Sequence, residues 1–337
     1  MDILKVELEI AIQMYQHVRS MGTEIAIVSP CSILSSLCAL GKLTDKATES
    51  NIQEILKVNE CKELDSVIRS INEDMSKDSI SSSNKIITNR AYIEPKTQLL
   101  LCDCYKLGVF EGPDQNNISL KMSVTLEASW NRPFTFPPDK QIRERNSSTE
   151  IASIFVDNKR RFHLLRRLTH LNCSVIRTSI AYNRFMLTMI TSDDEDDKTL
   201  DKLESILNLE NILDWIDNSK MKKTQNRFRF PKVKMATCYN FASVFNSRLN
   251  LSPSSFERIL PERQLYLDKM IQCSKLHADA NSLYVHSSTE IDFTNKEFPK
   301  VNYSSCTESV VGKAFIFLIQ SQRTGHVLFF GCARDSF

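Results

Sequence analysis

An α+β chain built on antiparallel sheets is what the sequence predicts, and three observations carry that expectation. Amphipathic helical segments dominate the first third, and short β-branched runs between polar or basic turns fill the middle. The last third mixes strand and helix before two apolar strands meet across the turn QRTG. No internal repeat or long linker interrupts the 337 residues, so one domain over 1–337 is expected.

The elements follow in order. Ile3, Leu4, Leu8, Ile10, Ile12 and Tyr15 recur at helical spacing, so a helix is expected over 2–20. The run IAIVSP reads as a strand stopped by Pro30, with Ser32 as N-cap of a second helix, SILSSLCAL. A third helix is expected from Asp45 to Leu56 and a fourth from Cys61 to Met75. DSISSSN (78–84) reads as loop by composition, KIITNRAYI as strand, and TQLLLCDCYKLG as a helix ended by Gly108. SVTLEASW alternates as a strand, and TEIASIFV, FHLL, NCSVIRTSI and RFMLTMI read as further short strands. TLDKLESILNLENILDWI is expected as helix, then strand FRFPKVKM, helix NFASVFNSRLN, and strands AFIFLI and HVLFFG.

Composition excludes several function classes. Hydrophobic residues make up 42% and charged residues 25%, the usual proportions of a globular protein. A net charge of +2 gives no whole-molecule case for nucleic acid. Only 7 glycines occur and neither phosphate-binding glycine motif is present, so no nucleotide cofactor is expected. The N-terminus has no basic n-region followed by an apolar run, and no stretch of 18 apolar residues occurs. A cytoplasmic, membrane-free monomer whose ten cysteines stay reduced is therefore expected.

The remaining polar clusters have bland readings. KRRFHLLRRL (159–168) reads as a basic strand edge and turn rather than a heparin or nucleic-acid site. Asp193–Asp197 (DDEDD) reads as a solvated loop, because consecutive carboxylates cannot all face one ion. Cys102-x-Cys104 has the wrong spacing for metal ligation from one helix face, so no metal is expected. No Ser/His/Asp arrangement with motif support occurs, which argues against an enzyme.

Six blocks in order resemble one family, the serpins. VSPCSILSSLCALGKLTDKATESNIQEIL (28–56) is similar to the family's SPxSI…T…L block, and TNRAY (88–92) to its ANxLF strand. SWNRPF (129–134) resembles W-x-x-P-F, and FPK (230–232) before YNFASVFNSRLNL resembles LPKF…LxxLG. The tail AFIFLIQSQRTGHVLFFG is similar to PFLFxIxxxxTGxxLFxG. The short start is similar to that of intracellular poxviral serpins. The resemblance implies three mainly antiparallel sheets, about eight helices, and a protease inhibitor acting as a suicide substrate. In that scheme a protease of the serine or cysteine class cuts an exposed reactive loop, expected over 286–312, which then inserts as a strand in the main sheet.

The resemblance also implies site residues. Ser29, Pro30, Ser32 and His277 match the family's shutter, and Trp130 its breach, where the loop first enters the sheet. The hinge is expected at Ser288, Thr289, Glu290, Ile291, Asp292 and Phe293, with Ser288 where the family pattern EEGTEAAAAT has glycine. At period 2, Thr289, Ile291 and Phe293 share one face, and Glu290, Asp292 and Thr294 the other. The scissile bond is expected at Asn302–Tyr303, within a window opening at Lys300 and Val301. Two departures stand out. Met122 replaces the shutter asparagine, and only twelve residues separate Phe110 from Ser123, which leaves no room for the family's sixth helix.

Overall fold

The computed structural model describes residues 3–56, 65–66, 68–70, 72–73, 80–88, 95–111, 117–131, 133–134, 154–156, 163–193, 198–225, 229–231, 233–249, 254–256, 264–294, 306–311 and 314–334. Helix α1 (Ile3–Ser20) leads through β1 (Ala26–Val28) to α2 (Pro30–Gly41) and α3 (Lys46–Ile55). After β2 (Ile80–Thr88) come α4 (Pro95–Tyr105), β3 (Leu107–Glu111) and β4 (Ile118–Ser129). The middle holds β5 (Ile154–Val156), β6 (His163–Leu168), β7 (Cys173–Ile180), β8 (Phe185–Ser192), α5 (Lys198–Ser205), α6 (Leu209–Trp215), β9 (Lys222–Thr224) and β10 (Arg229–Pro231). The chain ends with β11 (Val233–Asn240), α7 (Ala242–Leu249), β12 (Ser254–Ser255), β13 (Gln264–Ala278), β14 (Ser282–Thr294), β15 (Cys306–Val311), β16 (Phe315–Ser321) and β17 (Val327–Ala333).

Three sheets result. The main sheet runs β15-β11-β13-β14-β4-β2-β3, with β12 added on β13. The second runs β1-β17-β16-β8-β7-β6-β9, and β10 pairs β5 separately. Every neighbouring pair is antiparallel except β2 with β3, so the α+β expectation holds. All of α2 is buried, because it packs against β17 of the second sheet on one side and β4 and β14 of the main sheet on the other. A helix enclosed between two sheets must be apolar or small all round, and PCSILSSLCALG is.

Several elements depart from the sequence expectation. Helix α2 starts at Pro30, not after Ser32, since proline at the first helical position presets φ and needs no N–H partner. Asp45 caps α3, accepting from the Thr48 N–H at 2.7 Å. The serine-rich 80–84 is strand, not loop, because its backbone pairs with β4 from Ile80↔Leu126 onward. The expected helix over 199–216 breaks in two, with Asn208 capping α6 through the Asn211 N–H. Strand β6 is no edge, because β9 pairs along His163–Leu165. Cys238 and Cys273 stand opposite each other on β11 and β13 and form a disulfide, against the expectation of reduced thiols. The expected fourth helix falls mostly outside the described residues.

Strand β3 ends at Glu111 and β4 begins at Ile118, so the connection has no length for a helix across the sheet. The hairpin β16–β17 turns through Gly325 at φ +79°, a conformation glycine adopts without strain. Gly331 is needed for space instead: an added Cβ would lie 2.2 Å from the Ala26 carbonyl oxygen and 2.8 Å from the Phe317 ring. Gly331→Ala is expected to cost about 1–3 kcal/mol by overpacking. An unchanged thermal midpoint would contradict that close approach of β1 to β17.

Candidate functional site

The reactive segment proposed by sequence is a strand here. Strand β14 fills the slot between β13 and β4, in register from Leu283↔Ala278 and Leu283↔Ala128 to Phe293↔Leu267 and Phe293↔Ile118. Its burial alternates without interruption, with Leu283, Val285, Ser287, Thr289, Ile291 and Phe293 inward. Thr289, Ile291 and Phe293 thus share the buried face and Glu290, Asp292 and Thr294 the outer face, the alternation expected from sequence. The large side chains find space: Phe293 is wholly buried, its ring 4.7 Å from that of Phe256.

The turn into that strand lies at Asp279–Ser282. The Asp279 N–H donates to the Ser282 carbonyl at 3.0 Å. The Asp279 carboxylate accepts from the N–H groups of Asn281 (2.7 Å) and Ser282 (2.8 Å), an Asx-type turn. Partial burial pushes its pKa up, but these donors outweigh burial and hold it below the ordinary value. Trp130 fastens the turn from the side. Its indole N–H donates to the Asp279 carbonyl at 2.7 Å and its backbone N–H to Asn281 at 3.1 Å. Phe134 adds a backbone bond to Ala280 at 2.7 Å and stacks edge-on against Trp130, 5.0 Å between ring centres. Phe230 closes the cluster, 4.9 Å from Trp130.

Beneath the middle of β14 lies a buried polar network. Gln272 on β13 accepts from the Ser29 N–H at 2.8 Å, and its amide donates to the Ser29 carbonyl at 3.2 Å and the Thr289 hydroxyl at 2.9 Å. The Ser32 and Thr289 hydroxyls lie 2.7 Å apart, and the Ser29 hydroxyl donates to the Leu328 carbonyl at 2.9 Å. Pro30, buried at the start of α2, fixes the backbone that presents both serines. Met122, opposite Thr289 on β4, adds only apolar contact; Gln272 supplies the amide from the other neighbouring strand.

The outer face of the slot carries charge. Glu290 meets Lys121 of β4 at 2.9 Å and Lys269 of β13 at 2.6 Å, and Asp292 meets Lys269 at 2.9 Å. Burial disfavours the Glu290 charge, but the two ammonium groups outweigh it and lower its pKa. The carboxylates likewise raise that of Lys269 against the pull of burial. Beside them, His286 Nδ1 lies 2.8 Å from the Thr125 hydroxyl.

The expected residues therefore divide. Ser29, Ser32 and Thr289 come together, and Trp130 stands at the turn where β14 begins. His277 is exposed on the outer face of β13, and Gln272 occupies the position beside Ser29. Ser288 to Phe293 lie in mid-strand, and the chain turns at Asp279–Ser282. Of the loop expected over 286–312, residues 286–294 are strand and 306–311 form β15. Lys300, Val301, Asn302 and Tyr303 lie outside the described residues. Sequence reasoning missed Gln272, Asp279 and Lys269. Asp-x-Asn-Ser is an ordinary turn signal and was the available clue to the second. Among the described residues no group of His, Cys, Asp or Glu is placed to hold a metal, and no helix is long and apolar enough to cross a membrane.

Comparison with known proteins agrees with this architecture. The family model described as Serpin (serine protease inhibitor) matches residues 109–335. Mouse Serpin B5 is 24% identical over 231 residues, covering 65% of this chain and 58% of the mouse protein. Serine proteinase inhibitor 1 of myxoma virus is 26% identical over 220 residues, covering 63% of this chain and 55% of the viral protein. The match thus spans less than two thirds of either relative's length. Serpin B5 of Xenopus tropicalis aligns over 92% of both chains at 21% identity. Among solved structures, a loop-inserted cleaved ovalbumin superposes with TM-score 0.80 over all of both chains at 16% identity. Latent tengpin, a thermophilic serpin, gives 0.77 over all of this chain and 98% of its own, at 14% identity. With a matched family model over most of its length and a main sheet that takes the strand after Asp279 between β13 and β4, the chain belongs to the serpin family.

Proposed function

We propose that this chain is a serpin-type protease inhibitor acting as a suicide substrate, in which a protease cuts the segment after β14 and is carried along as that strand fills the main sheet. The observation that carries this reading is the fit of β14: eleven residues, Leu283–Phe293, pair on both sides, with Ile291 and Phe293 wholly buried and the inward hydroxyls partnered, Thr289 by Gln272 and Ser287 by Ser274. The target is a protease of the serine or cysteine class, met as a monomer in the cytoplasm. Kinship with a myxoma virus serpin supports a role against host proteases. The chain itself performs no catalysis on this reading.

The cut falls between the end of β14 at Thr294 and the start of β15 at Cys306. The Asn302–Tyr303 proposal lies there. The forward count from Thr289 gives Asn302, while counting back from Phe315 gives Tyr303 and anchoring on His277 gives Lys300 or Val301. Mass spectrometry after exposure to a protease panel is expected to find cleavage at Asn302–Tyr303, with an SDS-resistant adduct. Cleavage outside Lys300–Tyr303 would overturn that bond, and clean cleavage by every protease without adduct would overturn inhibition.

One observation favours a second reading, a non-inhibitory serpin-fold binding protein. Strand β14 already occupies its slot in an uncut chain, so cleavage would release no further insertion energy. A melting temperature unchanged by nicking supports this reading, and a large rise supports the first.

A further inference from the structure

We infer that Lys121 and Lys269 are register-setting residues for the strand that fills the main sheet, an electrostatic latch that accepts β14 only when Glu290 and Asp292 stand between them. The inference rests on the strand-insertion step of the proposed function and specifies how that step selects one register.

The problem the latch solves is geometric. A slip of β14 by one residue would turn its buried side chains outward and is rejected by burial alone. A slip by two residues keeps every apolar side chain inward, so the alternation of Leu283, Val285, Thr289, Ile291 and Phe293 discriminates weakly against it. The charged row does discriminate. In the observed register Glu290 stands opposite Lys121 and Asp292 opposite Lys269, and Lys269 also reaches Glu290 diagonally. Shifted two residues one way, Ser288 would face Lys121 and Glu290 would face Lys269. Shifted the other way, Thr294 would face Lys269. Each slip loses at least one of the ion pairs, and with it a carboxylate from a row that holds two ammonium groups.

A second observation points the same way. The ladder between β13 and β14 is irregular between Leu267 and Lys269, where Asp268 is the extra residue. Before it the buried positions of β13 are Leu265 and Leu267; after it they are Met270, Gln272 and Ser274. The bulge changes the parity of the strand. An uninterrupted strand would turn Lys269 inward with Leu265 and Leu267, whereas the bulge brings it to the outer face beside Asp292. The same shift turns Gln272 inward toward Thr289, so one irregularity aims both the latch and the network beneath it. Lys121 needs no such device, since β4 alternates regularly from Ile118.

The test compares the wild-type protein, K121E, K269E and the charge exchange K269E/D292K, before and after loop cleavage. Hydrogen exchange of residues 282–294 is read at low and high salt. Wild-type β14 is expected to be protected. K121E and K269E should lower its protection about tenfold at low salt, the size expected when attractions between partly screened charges become repulsions. High salt should narrow the difference, and K269E/D292K should recover most of the protection. The exchange variant keeps the test valid if K269E alone folds poorly. Equal protection in wild type, K121E and K269E, or a charge exchange that recovers nothing, overturns the latch while leaving strand insertion standing. A wild-type segment unprotected both before and after cleavage overturns insertion itself, and the latch with it.

Discussion

Phe293→Ala is expected to remove about 3–5 kcal/mol from the loop-inserted form, the usual cost of emptying a fully enclosed phenylalanine site. Phe293 stands near the end of β14, opposite Leu267 on one side and Ile118 on the other, with no exposed surface. Its ring meets Phe256 edge-on, 4.7 Å between centres, so truncation forfeits an aromatic contact as well as apolar burial. The site is walled by strands that pair on both sides, which limits collapse around the void and places the cost toward the upper part of the range. Guanidinium unfolding of the inserted protein measures it. Phe293→Leu should cost clearly less, because it keeps most of the volume. A Phe293→Ala midpoint within about 0.5 kcal/mol of wild type would mean that this residue is not enclosed and that β14 does not fill the slot to its end.

That expectation also decides how the unusual hinge is understood. The family pattern EEGTEAAAAT has small residues where Ile291 and Phe293 stand, and large side chains need preformed space to insert. In the structure both are wholly buried, Phe293 against Phe256 and opposite Leu267 and Ile118, and Ile291 opposite Met270 and Leu120. The alternation of β14 was legible in advance because period 2 needs only local sequence. The position of the turn was not. The pair Thr289–Glu290 matches the family's hinge and lies within β14; the turn before that strand, Asp279-Ala280-Asn281-Ser282, has no glycine and depends on a carboxylate binding backbone N–H groups.

His277 lies on the outer face of β13 for a similarly non-local reason. His277 and Gln272 are five residues apart on one regular strand, and an odd separation puts them on opposite faces. Only one can reach Ser29, and the resemblance to the family's shutter pointed to the histidine. Knowing which face of β13 is buried requires the bulge at Asp268, which no propensity announces. The serine-rich start of β2 escaped for the opposite reason: its strand character comes from pairing with β4, a partner more than thirty residues away. The helices α1, α3 and α4 and the hairpin β16–β17 were legible because periodicity, caps and turn residues are local.

Gln272→Leu is expected to be the second costly substitution, and its pairing with Thr289→Val separates the body of the protein from the inserted strand. The Gln272 amide is buried and makes three hydrogen bonds, two to the Ser29 backbone and one to the Thr289 hydroxyl. Leucine leaves the Ser29 N–H and carbonyl without that partner, at about 1–3 kcal/mol for each buried group left unpaired. Ser29 and Gln272 stay together whether or not β14 is in the sheet, because α2 and β13 do not belong to the moving segment. The Ser29 part of the loss should therefore appear in both loop states. Thr289 is different: its hydroxyl reaches Gln272 and Ser32 only from within the slot. A double-mutant cycle of Gln272→Leu and Thr289→Val, read by denaturant unfolding, should give a coupling of about 0.5–3 kcal/mol for groups in one buried network. The coupling should be present in the inserted form and vanish if β14 is expelled. Zero coupling in every preparation would place Thr289 away from Gln272 and remove the polar network as a determinant of where this strand resides.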